Sequence, residues 1–257
     1  MAISTTHYLI VRDLFLHGLL PRGGAVLEIG EANWYDLDPF ALVEDVQKFV
    51  PDPARAEVLT NRLHELVDTK PDGYLFGIAK VFYEIFFSPS EMQSIDFGGT
   101  SVSLKLDLNA PIVLNRKFDI SINHGTAEHI FNIAQVFMTM HQYTVPGGMM
   151  IHESPFTGWI EHGFYNLQPT LFFDLCEFNR YAMYGMFVQD LTTRTVLQIR
   201  TREDVYELAK EKKLPENSML FTILKKHEED RPFQIPIQGY YRKSLPLAGN
   251  KAWRDLR

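Results

Sequence analysis

Cysteine is close to absent: Cys176 stands alone among 257 residues. No disulfide can form within the chain, so a reducing compartment fits and a cytoplasmic protein is expected. Positive charge is also scarce. Lys and Arg number 25 against 32 Asp and Glu, and the formal net charge is -7. A phosphate-backbone binder needs cations to displace counterions, so duplex nucleic acid is not expected as a partner. Long apolar runs are missing as well. No stretch reaches the roughly 20 apolar residues of a bilayer span, no basic leader precedes an apolar run at the start, and no membrane partner is expected. Repeats, low-complexity segments and interdomain linkers are likewise absent. What remains is a chain with 46% hydrophobic residues, enough for one sizeable core. A single domain over 1–257 is the expectation, with a homodimer left open.

Periodicity supplies the elements. Residues 8–20 read as an amphipathic helix, broken by Pro21, Gly23 and Gly24. Residues 25–30 (AVLEIG) form an apolar run ending in glycine, as a buried parallel strand does. The stretch 38–87 reads as a helical insertion or lid, with breaks near Pro51, Pro53, Pro71 and Gly73. Further strands are expected at 92–97, 101–108, 118–123, 148–156, 182–189 and 218–227, with a shorter one at 195–200. Helices are expected at 127–143, with Thr126 as N-cap, at 170–181 and at 203–213. Residues 228–257 read as a surface tail. Alternating strands and helices predict an α/β, Rossmann-like three-layer sandwich around a mostly parallel seven-stranded sheet with an antiparallel last strand.

One absence separates cofactor classes. A dinucleotide needs G-x-G-x-x-G after the first strand, because its pyrophosphate rests on the turn amides. Here the turn reads Glu28-Ile29-Gly30-Glu31-Ala32-Asn33-Trp34. A P-loop is missing too. Nicotinamide or flavin dehydrogenases and nucleotide hydrolases therefore rank low.

In sheets of this kind ligands bind beyond the carboxyl ends of the strands. Those ends carry Glu28 and Gly30, then Asp96-Phe97, Asp107-Leu108, Asn123-His124-Gly125-Thr126 and His152-Glu153. In order and spacing, residues 25–227 resemble the class I S-adenosylmethionine-dependent methyltransferases, and the stretch around INHGTAEHIFN looks like a small bacterial subgroup of them. The resemblance implies S-adenosylmethionine as cofactor and methyl transfer to a small-molecule acceptor. It places the methionine end on Glu28, Gly30, Glu31 and Asn33, and the ribose on Asp96 with Phe97 beside it. Asp107 and Leu108 would flank the adenine, with Asn123 on the following strand. The family's turn is commonly E-x-G-x-G-x-G, and only Gly30 of those glycines is present here. A non-catalytic module binding a nucleoside or a protein partner is the alternative.

Chemistry narrows the remaining candidates. His129, near a helix start, should stay neutral and is the expected base, with His162 second. Trp34, Glu128, His152, Trp159 and Tyr165 are the expected substrate contacts. Each has a plainer reading: Asp96 as a turn residue, Asp107 as an Asx turn before Pro111, Glu128 as a favourable charge in a first helical turn, and most aromatics as core. His124, His152 and His162 match no compact zinc spacing, and no metal is expected.

Overall fold

The computed structural model describes residues 2–242, 250, 251 and 254–256. The chain opens with β1 (Ala2–Ile3) and α1 (Thr5–Leu16), then β2 (Ala25–Ile29) and β3 (Asn33–Trp34). Three helices follow: α2 (Ala41–Phe49), α3 (Pro53–Thr69) and α4 (Tyr74–Phe86). Next come β4 (Glu91–Ile95), β5 (Phe118–His124), a 3-10 turn (Ala127–His129), α5 (Ile133–Tyr143) and β6 (Thr144–Thr157). The chain continues with α6 (Pro169–Asn179), β7 (Ala182–Asp190), β8 (Val196–Gln198), α7 (Arg202–Lys210) and β9 (Ser218–Lys225). Local chemistry sets several starts. The Ser4 hydroxyl accepts from the His7 amide at 3.2 Å to cap α1. Asp52 caps α3 with Pro53 at its first position, and Thr201 and Asp204 form a capping box on α7.

The main sheet has seven strands in the order β4-β2-β5-β6-β9-β7-β8. β4, β2, β5 and β6 are mutually parallel, whereas β9 runs antiparallel between β6 and β7. The expected α/β architecture, with its mostly parallel sheet and antiparallel last strand, is present. The pleat sends alternate side chains to opposite faces. Val26, Ile120, Ile122, Met149 and Ile151 pack under α1, α2, α3 and α4. Ala25, Leu27, Phe118 and Met150 pack under α5 and α6. Among the described residues no helix is long and apolar enough to cross a membrane.

Four expectations need correction. The strand at 101–108 does not form; Leu104 makes one isolated bridge to Ile95. Ser103 is drawn inward onto Glu31 and Ser94, which takes the segment off a regular register. The helix over 127–143 is split into the 3-10 turn and α5, because Asn132 is bonded through its amide and side chain to Asn109. Thr126 is not its cap: its hydroxyl donates to the Ile29 carbonyl, and Asn123 Oδ1 accepts the amides of Thr126 and Ala127 instead. The stretch 38–87 is helical, but α4 buries Val81, Phe82, Ile85 and Phe86 in the core. It is a packing layer and lines neither cavity described below.

Candidate functional site

β2 lies between β4 and β5, and the chain crosses from one sheet half to the other there. Such a reversal opens a crevice beyond the strand ends. The 3-10 turn after β5 sits in it, and Gly125 and His129 border two cavities at once.

The smaller cavity is a slot of about 200 Å³ lined by Ile95, Phe97, Leu106, Leu108, Thr126 and Ile130, with Asp96 at its edge. The Asp96 carboxylate accepts from the Glu31 amide at 2.9 Å and the Gly98 amide at 2.7 Å. Each oxygen keeps a lone pair for a ligand hydroxyl. Asp107 points elsewhere: it accepts from the Asn109 amide and side chain at 2.9 Å and forms the Asx turn. Those bonds hold its carboxyl below the usual range. Leu108 alone of that pair walls the slot.

The larger cavity, about 590 Å³, is lined by Ser4, Asn33, His124, Glu128, His129 and Glu153, with Trp159 and His162 from the loop after β6. Burial keeps the His129 imidazole below its usual value, and His162 adds to this; their ring centroids are 4.9 Å apart. Neutrality is as expected, but its first cause is burial and not the helix end. Glu128 is fully buried with no partner for either oxygen. Burial, with Glu153 nearby, pushes its carboxyl up to about 8. A carboxyl raised that far is mostly protonated near neutrality, so it can donate a proton.

Strand alternation sorts the remaining candidates. His152 faces the α5–α6 side, between the rings of Phe137 at 5.2 Å and Phe172 at 5.4 Å. Burial pushes it down to about 3, and it does not reach the cavity. Glu153, one residue on, faces the α1 side and does. Trp34 is core, packed on Tyr8 and Phe82 with its indole donating to the Leu37 carbonyl. Tyr165 lines neither cavity; it fastens the loop by donating to the Phe131 carbonyl at 2.7 Å. Asn123 is committed to the 3-10 turn. Trp159 lines the large cavity and donates to the Ser218 carbonyl at 3.0 Å.

The turn expected under a methionine end is built differently. Glu28 is buried, accepts from the Ala32 amide at 3.3 Å and faces Tyr83; burial raises it to about 7. The Glu31 carboxylate is bound by Lys80 at 2.6 Å, the Thr100 amide at 2.6 Å and Ser103 at 2.8 Å. Gly30 has φ of 85°, a left-handed value that favours glycine, and its amide donates to Ile95. The slot offers apolar walls and the Asp96 carboxylate, the chemistry an adenosine end would need. For the methionine end the turn offers backbone and Asn33, because Glu31 is already occupied.

Sequence reasoning missed His7, His124 as a cavity residue, Glu153 and Tyr83. His124 and Glu153 are register partners on adjacent strands, and alternation could have paired them. Nothing in the sequence brings His7 to them.

No family model matches the chain, and no curated protein matches its sequence. Solved structures align with most of this chain at low identity. The N-methyltransferase NodS from Bradyrhizobium japonicum WM9 is 12% identical, with 87% of this chain and 96% of that chain covered and a TM-score of 0.45. TehB from Haemophilus influenzae gives 9% identity, 84% and 61% coverage and 0.44. The Burkholderia thailandensis 1,6-didemethyltoxoflavin-N1-methyltransferase, with its substrate and S-adenosylhomocysteine bound, gives 10%, 84% and 76%, and 0.37. At such scores these likenesses fix neither ligand nor reaction for this chain.

Proposed function

We propose that the chain transfers a methyl group from S-adenosylmethionine to a small-molecule acceptor. One observation carries this reading: an apolar slot whose lining includes the Asp96 carboxylate shares Gly125 and His129 with a larger cavity lined by His124, Glu128 and Glu153 at the ends of the parallel strands. Leu106, Leu108 and Ile130 would enclose the adenine, and Asp96 would take the ribose hydroxyls. The bound cofactor supplies an electrophilic methyl on sulfur. The protein's part is to hold the acceptor in the cavity, aligned and shielded from water, which is an entropic contribution. His129, neutral and beside both cavities, would receive a proton from an oxygen or nitrogen nucleophile. Glu128 stands ready as a second proton carrier.

The test is calorimetric titration with S-adenosylhomocysteine. Wild-type protein should bind it, and Leu106→Trp, which fills the slot, should weaken binding at least about tenfold, or 1.4 kcal/mol. Equal affinity in a folded variant would remove the slot from the reading. A radiolabelled-methyl screen against metabolite pools then separates an enzyme from a module that binds the nucleoside without turnover.

A further inference from the structure

Behind the wall of the large cavity, which His124 and Glu153 help to line, three side chains converge that methyl transfer does not use. His7 comes from the first turn of α1, His124 from the end of β5 and Glu153 from β6. They are 0%, 1% and 3% exposed, respectively. His7 Nδ1 and His124 Nδ1 lie 3.4 Å and 3.5 Å from the same oxygen, Glu153 Oε2. The two rings meet edge to face at 4.1 Å. These distances exceed those of a good N–H···O bond. His7 Nδ1 and Nε2, His124 Nδ1 and Glu153 Oε2 are all buried without a hydrogen-bond partner. Buried polar atoms left in this way are costly and rare.

The surrounding contacts orient the His124 ring. The Tyr83 hydroxyl lies 2.9 Å from His124 Nε2 and interacts with the buried Glu28 carboxyl. His124 Nε2 and the Tyr83 hydroxyl share this bond, which fixes the ring's orientation whichever of the two donates. In the tautomer with its proton on Nε2, His124 Nδ1 presents a lone pair to a carboxylate oxygen. Two lone pairs at that distance repel unless a cation lies between them. For metal–donor bonds of about 2.1 Å, the edge of a tetrahedron is about 3.4 Å, which matches the two separations. A histidine whose other nitrogen is tied to a hydrogen-bond chain is the usual outer arrangement of a metal ligand.

We propose that His7, His124 and Glu153 bind a divalent transition-metal ion, Zn²⁺ by donor set and spacing. The fourth position faces the large cavity, which Ser4, His124 and Glu153 help to line. Three protein ligands with one open position is the arrangement that accepts a small ligand. A cavity ligand with an oxygen or nitrogen donor would complete it. Glu128, His129 and His162 form a second group of ion-compatible spacing, but two of those three are exposed.

The test uses the full chain, stripped with chelator. Zn²⁺ is titrated by calorimetry, and Co²⁺ is followed by its visible absorption. One ion per chain should saturate the wild type. His7→Ala and Glu153→Gln should each weaken binding about 100-fold, and Tyr83→Phe about 10- to 100-fold. His162→Ala should bind as the wild type does. Circular dichroism separates loss of the ion from loss of the fold, and Tyr83→Phe, which keeps the ring's packing, decides if both ligand variants unfold. No stoichiometric ion in the wild type would overturn the proposal. So would undiminished binding by a folded ligand variant, or binding lost in His162→Ala. None of these outcomes depends on S-adenosylmethionine.

Discussion

His129 touches both cavities, and its surroundings limit what its imidazole can do. With burial and His162 keeping it neutral, it can accept a proton but hardly anchor an anion. His129→Ala should therefore change S-adenosylhomocysteine affinity by less than about fivefold, or 1 kcal/mol. Turnover on the acceptor found by the screen should fall by ~10²–10⁴. His129→Asn should restore little if proton transfer is the role; full activity in His129→Ala would move the role to Glu128 or to no side chain. Asp96, Leu108, His129, Trp159 and His162 could be named from the sequence because strand ends are marked by glycine and polarity changes. The face a strand residue occupies is not marked in that way. His152 and Glu153 are equally polar neighbours, and only the register of β6 against β5 sends one into a pair of phenylalanine rings and the other into the cavity. Glu128 carried an ordinary explanation, a charge in a first helical turn, until its burial without a partner was visible.

Glu31 shows how one side chain organises several elements. It joins the turn after β2 to Lys80 on α4 and to Thr100 and Ser103 in the loop after β4. Burial pushes its carboxyl up, and Lys80, Ser103 and Thr100 outweigh that and hold it below the usual range. A lowered carboxylate contributes stability that is present above its unfolded pKa, about 4.3, and is lost as pH falls through the folded value. Glu31→Gln should cost about 2–4 kcal/mol at neutral pH, since a mostly buried pair and several hydrogen bonds are broken together. Urea unfolding measures it, and a loss under about 0.5 kcal/mol, the scale of an ordinary surface change, would show the cluster to be dispensable. This staple also explains why the strand over 101–108 was misread. Its alternation of apolar and polar residues is strand-like, but Ser103 answers to Glu31 and not to a neighbouring strand. The elements read correctly from the sequence, β2, β5, α6 and β9 among them, are those whose burial depends on their own pattern alone. The break in the helix after β5 depends on Asn109, over 20 positions away, and periodicity does not register it.

At the scale of the whole molecule, the two sheet faces carry different duties. The α1–α4 face holds Glu28, Tyr83, His124 and Glu153, whereas the α5–α6 face is closed at its far end by the segment that follows β9. His141 on α5 ties that segment down: Nδ1 meets the Tyr181 hydroxyl at 2.6 Å and Nε2 the Arg231 carbonyl at 2.7 Å. Lys226, Asp230, Lys117 and the ring of Phe233 also face it. Burial keeps the His141 imidazole below its usual value, with Lys226 and Lys117 acting in the same direction and the Arg231 carbonyl opposing. The unfolded chain therefore takes up this proton first, near pH 6.5. The His141 contribution to stability is constant above that pH and falls as pH drops below it, by at most about 1.4 kcal/mol per pH unit, until the folded imidazole also titrates. His141→Gln removes the titration while leaving a side chain that can hydrogen-bond. The variant should lose less stability than the wild type between pH 7 and pH 5, measured by urea unfolding at fixed ionic strength. The difference in slope isolates His141 from His152 and the other buried imidazoles, which titrate in both proteins. Parallel pH profiles would mean that His141 is protonated alike in the folded and unfolded chain, and that the strap is held by its backbone contacts alone.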